Sequence, residues 1–520
     1  MPIHRPGQTV RETPTHVLRL PLCLEPWQAA EIDKIFEASR LLYNSLVRRF
    51  KQQYRLYQHT RQYKISTTAL TDKKSSKKAK SRARAILKQT QEEYGFTRPA
   101  FEAASSELCG GWLKDRLYSM VRQKVAADCW RAFSTLLGGK GKEVKYRGFH
   151  DKEATLQNKW NQGPFRYDNG YFIIGKLTIP VEFPKHDPYV EACMAHRVKY
   201  CGLSRYEIRG KTRYQLLLYL EGFAPVKVTK DGEFKHPIAP GEEVGIDIGT
   251  QTIAISSRNG VWAGVLASEL GDVQSLENKI NCLNRAMDRS RRATNPWAFR
   301  EDGQVIPAVE LPPEHRNRYG RHDWHESNHY AAMKARRKEL YRKQAAIRRQ
   351  SHWLLIQIIV SLGTVIHVEK MNFNTLAKRA KQTKKSARTG RCLSKKRFGH
   401  SIANRAPAML IEMLGNKVAA LGGTLYKSNP WEIKASQVDH QTREYTKKSL
   451  SQRFHYLKDG TAIQRDYYSA FIEQHVDEEN NIVNFEACAR DFPGFYKMYQ
   501  ADYARLAALN GYLPTSMGIK

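Results

Sequence analysis

The chain has 520 residues, with 86 Lys and Arg against 51 Asp and Glu, a formal charge of +35. Excess positive charge of this size strains a compact state unless a polyanion offsets it, so nucleic acid is the expected partner and a membrane surface the weaker one. The length predicts two or three domains. No run approaches the roughly 18 apolar residues of a spanning helix, and MPIHRPGQTVRETPTHVLRL lacks the apolar core and cleavage site of a secretory signal. Glu12 and the strand-like run after it argue against a transit peptide, leaving a cytoplasmic location as the expectation.

In chain order, residues 1–25 contain one strand, THVLRLPL. From Pro26 the spacing of Ile32, Ile35, Phe36, Leu41, Leu42, Tyr43, Leu46 and Val47 predicts helix, and helical composition continues to about residue 136. Inside it, residues 73–88 carry eight basic side chains and no acid. Lys73, Lys74, Lys77, Lys78, Lys80, Arg82 and Arg84 are candidate phosphate contacts, although an isolated charge run is ordinarily a solvated face. Tyr54, Tyr57 and Tyr63 are candidates for base stacking, with helix packing the alternative. Residues 137–225 read as short alternating strands with turn residues between them, a pattern that predicts a small β-barrel joined by the first strand. A linker spans residues 226–240.

The second half opens with GEEVGIDIGTQTIAISS, a strand, tight turn and strand. Two helical arms follow over residues 270–360, with Leu276, Ile280, Leu283 and Met287 spaced for an antiparallel pair. An apolar strand then ends at Glu369. Residues 372–404 read as a basic loop, with ten Lys or Arg between positions 378 and 397 and no acid. In it Lys378, Arg379, Lys381, Lys384, Lys385, Arg388, Arg391, Lys395, Lys396 and Arg397 are candidate nucleic-acid contacts, a disordered linker being the alternative. An amphipathic helix follows over residues 406–421, and Gly422-Gly423 ends it. This second region closes near residue 480, and residues 481–520 read as a helical extension.

Three acids stand out against this basic field: Asp247 in GIDIGT, Glu369 in VIHVEKMN and Asp466 in IQRDYYSAF. Two-metal phosphodiester cleavage needs carboxylates that hold a pair of Mg²⁺ ions, which prefer hard oxygen ligands. Asp247 lies on an apolar strand before a sharp turn, Glu369 at a strand end, and Asp466 in the first turn of a helix, facing the sheet. Singly each is weak, since a strand-end Glu is ordinarily a surface residue and a first-turn Asp ordinarily a cap. The eight cysteines form no CxxC, so they are expected to be reduced core residues. Cys193, His196 and Cys201 fit no common zinc spacing.

On these motifs the chain resembles the TnpB family of transposon-encoded, RNA-guided DNA endonucleases and the related miniature type V CRISPR effectors. The opening residues through Tyr43-Asn44 resemble the family's first strand and YN-type helix. GIDIGT, VEKMN and QRDYYSAF resemble the three RuvC motifs, and the arms resemble the helical pair between the first two. The resemblance implies an α/β RNase H-like (RuvC) nuclease domain over residues 241–480, preceded by a wedge β-barrel (137–225) with a helical recognition insertion (26–136). It places Asp247, Glu369 and Asp466 on the catalytic, metal-binding acids. It implies two Mg²⁺ ions, a guide RNA and a double-stranded target DNA. Two features depart from the family. Residues 431–465, where members carry a CxxC…CxxC zinc ribbon, contain no cysteine, and His440 and His455 alone do not hold a zinc, so no zinc is expected. Tyr468 stands where Asn is usual. The rivals are a nuclease-inactive RNA-guided repressor, disfavoured because all three acids are present, and an unguided RuvC-type junction or repair nuclease, which needs no long first half. An actin-like ATPase shares the DxGT turn but would need a second phosphate strand and an adenosine loop, and neither is found.

Overall fold

The structure is a computed structural model that describes residues 13–508 and 517–518, apart from 73, 150, 152, 230, 232, 268–269, 319, 380–381, 384, 388, 393–397, 450–451, 478, 480 and the side chains of 270–272. The chain divides into two compact units, Met1–Pro225 and Val226–Lys520.

The first unit begins with β1 (Thr15–Leu22) and the helices α1 (Pro26–His59), α2 (Arg61–Thr71), α3 (Lys77–Glu93), α4 (Arg98–Glu107), α5 (Trp112–Arg116) and α6 (Ser119–Leu137). Then come β2 (Ala154–Gln157), β3 (Phe165–Asp168), β4 (Tyr171–Ile174), β5 (Leu177–Pro180), α7 (Pro188–Met194), β6 (Val198–Ile208) and β7 (Lys211–Glu221). Helix α1 starts on a capping box between Glu25 and Gln28, which satisfies amide groups that a helix N-terminus leaves free. Its apolar stripe, Ile32, Ile35, Leu42, Leu46 and Phe50, is buried in a core shared with α6 and the strands.

The closed barrel expected over residues 137–225 is not formed among the described residues. The strands make two separate sheets, β1-β7-β6-β2 and β3-β4-β5. β1 runs antiparallel to β7 from Thr15↔Glu221 to Leu22↔Tyr214, so the helices lie between two sheet neighbours as an insertion. Closure requires a continuous staggered ladder. Here β2 to β5 have four residues each; β2 adds to β6 at the edge of the first sheet, while β3, β4 and β5 pair with one another, β3 and β4 turning back through left-handed Asn169 and Gly170, and form a sheet of their own.

The second unit contains β8 (Glu243–Ile248), β9 (Thr252–Ser257), β10 (Gly260–Val265), α8 (Leu270–Thr294), α9 (Asn328–Leu362), β11 (Val365–Glu369), α10 (Phe373–Leu376), α11 (Gly399–Arg405), α12 (Pro407–Ala420), β12 (Thr424–Ser428) and α13 (Pro430–Ile433). It ends with β13 (Phe454–Tyr456), β14 (Ala462–Gln464), α14 (Arg465–Gln474), β15 (Val476–Asp477), β16 (Ile482–Val483) and α15 (Phe485–Ala507). Five strands form one sheet in the order β10-β9-β8-β11-β12. β8, β9 and β10 are an antiparallel meander, and β8, β11 and β12 are parallel. One face packs on α9 and α12 through Ile356, Ile359, Leu410 and Leu414. The other takes α14 and α15 through Tyr467, Phe471, Phe495 and Tyr499. Among the described residues no helix is long and apolar enough to cross a membrane.

Candidate active site

Side chains alternate between the two faces of a strand. On β8, Val244, Ile246 and Ile248 enter the core beneath α9 and α12, which turns Gly245 and Asp247 to the α14 face. On β11, Ile366 and Val368 enter the same core and leave His367 and Glu369 on the α14 face. Val368 pairs with Ile246 in the parallel ladder, so Glu369 and Asp247 follow each other at the same level of adjacent strands. Asp466 comes from the first turn of α14, which crosses β8, β9 and β11 on that face. Gly245 permits the crossing, since a Cβ there would collide with the Ala470 carbonyl oxygen and the Gln474 backbone nitrogen.

The start of α14 is fixed from three sides. The Gln464 side chain accepts from the backbone N–H groups of Asp466 (2.8 Å) and Tyr467 (3.1 Å), capping the helix. Its own N–H donates to the Tyr499 hydroxyl at 3.0 Å and its Nε2 to the Met517 carbonyl at 3.2 Å. Next to Asp466, the Tyr467 hydroxyl donates to Asp502 at 2.5 Å, and Asp502 also accepts from the Ala263 N–H and from Arg505. The C-terminal extension therefore holds the segment that carries the third acid.

Protein crowds the three motif acids, yet each keeps an open edge, the Asp466 side chain being 19% exposed. Burial holds the Asp247 carboxyl well above the usual carboxylate range; repulsion from Asp466, Glu369 and Glu473 adds to this and Arg465 opposes it. Burial also raises Glu369. It raises Asp466 as well, against the pull of Arg465, Gln464 and Arg453. Carboxylates that repel one another in a desolvated pit favour a bound cation.

Glu473 is a fourth carboxylate in this field, and the motif reading missed it. It lies two helical turns after Asp466 on α14, 2% exposed, and its Oε2 accepts from the Ser428 hydroxyl at 2.7 Å. Burial pushes its carboxyl up to about 7, with the Ser428 bond opposing and Glu369 adding. The sequence signal was the seven-residue spacing from Asp466, which returns a side chain to the same helix face.

Among the described residues no three His, Cys, Asp or Glu side chains are gathered tightly enough to hold one ion between them. The donors that converge are carboxylate oxygens alone, the chemistry of hard divalent cations that retain several waters.

Residues 431–465 contain no cysteine. The His440 ring (Nδ1) and its backbone N–H each lie 2.9 Å from the Tyr468 hydroxyl, and His455 stacks on the Tyr468 ring at 4.2 Å. All three side chains are buried. Tyr468 and the two histidines of residues 431–465 thus meet in one buried cluster. Cys193 and Cys201 are buried in the first unit's core.

Of the basic candidates, Lys74, Lys77, Lys78, Arg82 and Arg84 are exposed on or just before α3, and Lys80 is half-buried. Lys378, Arg379, Lys385 and Arg391 are exposed after α10. Lys73, Lys381, Lys384, Arg388, Lys395, Lys396 and Arg397 lie outside the described residues. The stacking role for the tyrosines needs correction. Tyr57 is 1% exposed and packs edge-on against Tyr63 and Phe96, and Tyr54 packs on the same cluster, so these rings serve the core.

No protein-family model and no curated protein matches the chain. Among solved structures it is similar to a Cas12f1–sgRNA–target DNA complex, with TM-score 0.39 and 10% identity, covering 88% of this chain and 98% of that one. It is similar to a CRISPR-Cas12f ternary complex with TM-score 0.26 and 13% identity, covering 85% and 81%. It is also similar to the mini-RNA-guided endonuclease CRISPR-Cas_phi3, with TM-score 0.32 and 9% identity, covering 93% of both chains. None of these scores reaches 0.5, so the functional reading rests on the residues.

Proposed function

We propose that this chain is an RNA-guided DNA endonuclease with a single RuvC-type active site. The observation that carries the proposal is the convergence of Asp247, Glu369 and Asp466, from three segments far apart in sequence, on one face of one sheet. A meander continued by two parallel strands, with acids at adjacent strand ends and on the covering helix, supports an RNase H-like assignment. Asp247, Glu369 and Asp466 would hold two Mg²⁺ ions, which supply an activated water and stabilise the leaving oxygen. Asp247, between the other two, is the acid best placed to be shared. Arg453 and Arg465 beside Asp466 would orient the scissile phosphate and hold its charge. The exposed cations of α3 and of the loop after α10 would take nucleic-acid backbone, with the guide RNA rather than the protein reading the target sequence.

Two measurements test this reading. RNA that copurifies with the full chain should be one dominant structured species ending in a variable segment; random cellular RNA would remove the guided part. DNA matching that segment should be cut with Mg²⁺. Asp247→Ala should abolish cutting while leaving guided binding nearly intact, because it removes a metal ligand and no phosphate contact. Equal loss of binding would make Asp247 structural.

A further inference from the structure

We propose that Glu473 is a positioning residue of this site, a fourth carboxylate that strengthens divalent-cation binding by acting through Glu369 and Asp247. The inference rests on the nuclease reading above and adds to it a residue outside the three motifs. Glu369 and Ser428 are direct partners in the parallel β11–β12 ladder, and the Lys370 N–H donates to the Ser428 carbonyl at 3.0 Å. The Ser428 hydroxyl then reaches across to Glu473 on α14 at 2.7 Å. The end of the Glu369 strand is therefore tied to the helix that carries Asp466, and the tie is a carboxylate.

The surroundings do not explain that carboxylate as structure alone. Glu473 is buried, and no cation pairs with it in any ion pair of the described residues. A buried glutamate with a single hydroxyl donor is costly. A glutamine would accept the same bond from Ser428 at lower cost. What the acid adds is negative charge on the α14 face of the sheet, one hydrogen bond away from the ladder partner of Glu369 and on the helix that crosses β8 and β11. In a desolvated pit that charge is felt by an ion a few ångströms away, and groups behind the ligands commonly tune metal affinity in this way.

The test uses Mn²⁺ alone with the full chain freed of nucleic acid, free ion being counted from its magnetic-resonance signal. Wild type should bind Mn²⁺ and Asp247→Ala should lose that binding. Glu473→Gln should raise the half-saturating Mn²⁺ concentration roughly tenfold or more without lowering the melting temperature of the ion-free protein. Glu473→Asp should recover most of the affinity. Unchanged affinity in Glu473→Gln would overturn the proposal while leaving the three-acid site intact. If wild type bound no Mn²⁺, or Asp247→Ala bound it equally, the nuclease reading and this inference would fall together. Should Glu473→Gln fail to fold, Ser428→Ala decides: a several-fold loss of affinity supports the tie and no loss sinks it.

Discussion

Asp247, Glu369 and Asp466 are acids that protein folding alone would not choose, because each is driven above its usual range by its surroundings. Glu473 shows the energetic consequence most plainly. Its carboxyl is raised to about 7 in the folded chain against an ordinary value of 4.5. Between those values the folded state binds more protons than the unfolded state, so stability is greatest at low pH and falls as pH rises through this window. Ion-free wild type should lose up to about 3 kcal/mol from this group between pH 4.5 and 7. Glu473→Gln should remove that part of the slope and be the more stable protein at pH 8. Denaturant unfolding at both pH values checks it, and parallel profiles would show that Glu473 is ionised throughout. Tyr468 gives a second test. Tyr468→Asn restores the residue usual in the resembled family, yet here it empties a fully buried ring site and strands His440 and His455. It should cost about 3–5 kcal/mol, measured by the same unfolding; a neutral result would mean that residues 431–465 do not depend on this cluster.

At the scale of elements, the site depends on how closely α14 lies on β8. Gly245 has no side chain because the backbone of Ala470 and Gln474 occupies that space. Gly245→Ala must push the helix outward, carrying Asp466 from Asp247. It should destabilise the second unit by about 3 kcal/mol, at the upper end of overpacking costs, and should weaken Mn²⁺ binding at pH 8. Unaltered stability and ion binding would show that the helix seats with room to spare. Strand parity was legible in the sequence at this scale. The apolar residues Val244, Ile246 and Ile248 on β8 and Ile366 and Val368 on β11 fix where Asp247 and Glu369 point, because alternation is a property of a single strand. The barrel was not legible in the same way. Alternating patterns in the first half identify strands, but closure depends on which strand ends pair, and the short β3, β4 and β5 pair only with one another.

For the molecule as a whole, the net formal charge of +35 on 520 residues underlies the proposed nucleic-acid partner, and the exposed cations Lys378, Arg379, Lys385 and Arg391 follow the strand that ends in Glu369. Neutralising all four should lower the slope of log affinity against log salt for single-stranded DNA by roughly 3, about 0.7 for each phosphate no longer neutralised by the protein. A slope equal to wild type would detach this loop from the substrate path. Composition, the three acids, their facing on the strands and the order of helical and β-rich segments are determined by the sequence itself, since charge and side-chain periodicity are local. Tertiary packing alone decided the rest. It brought Glu473 beside the site, gathered Tyr468, His440 and His455 into one buried cluster, turned Tyr57 inward, and set the C-terminal helix against the cap of α14. Each of these depends on which distant surface a side chain meets, and burial of that kind is created only when the helices close on the sheet.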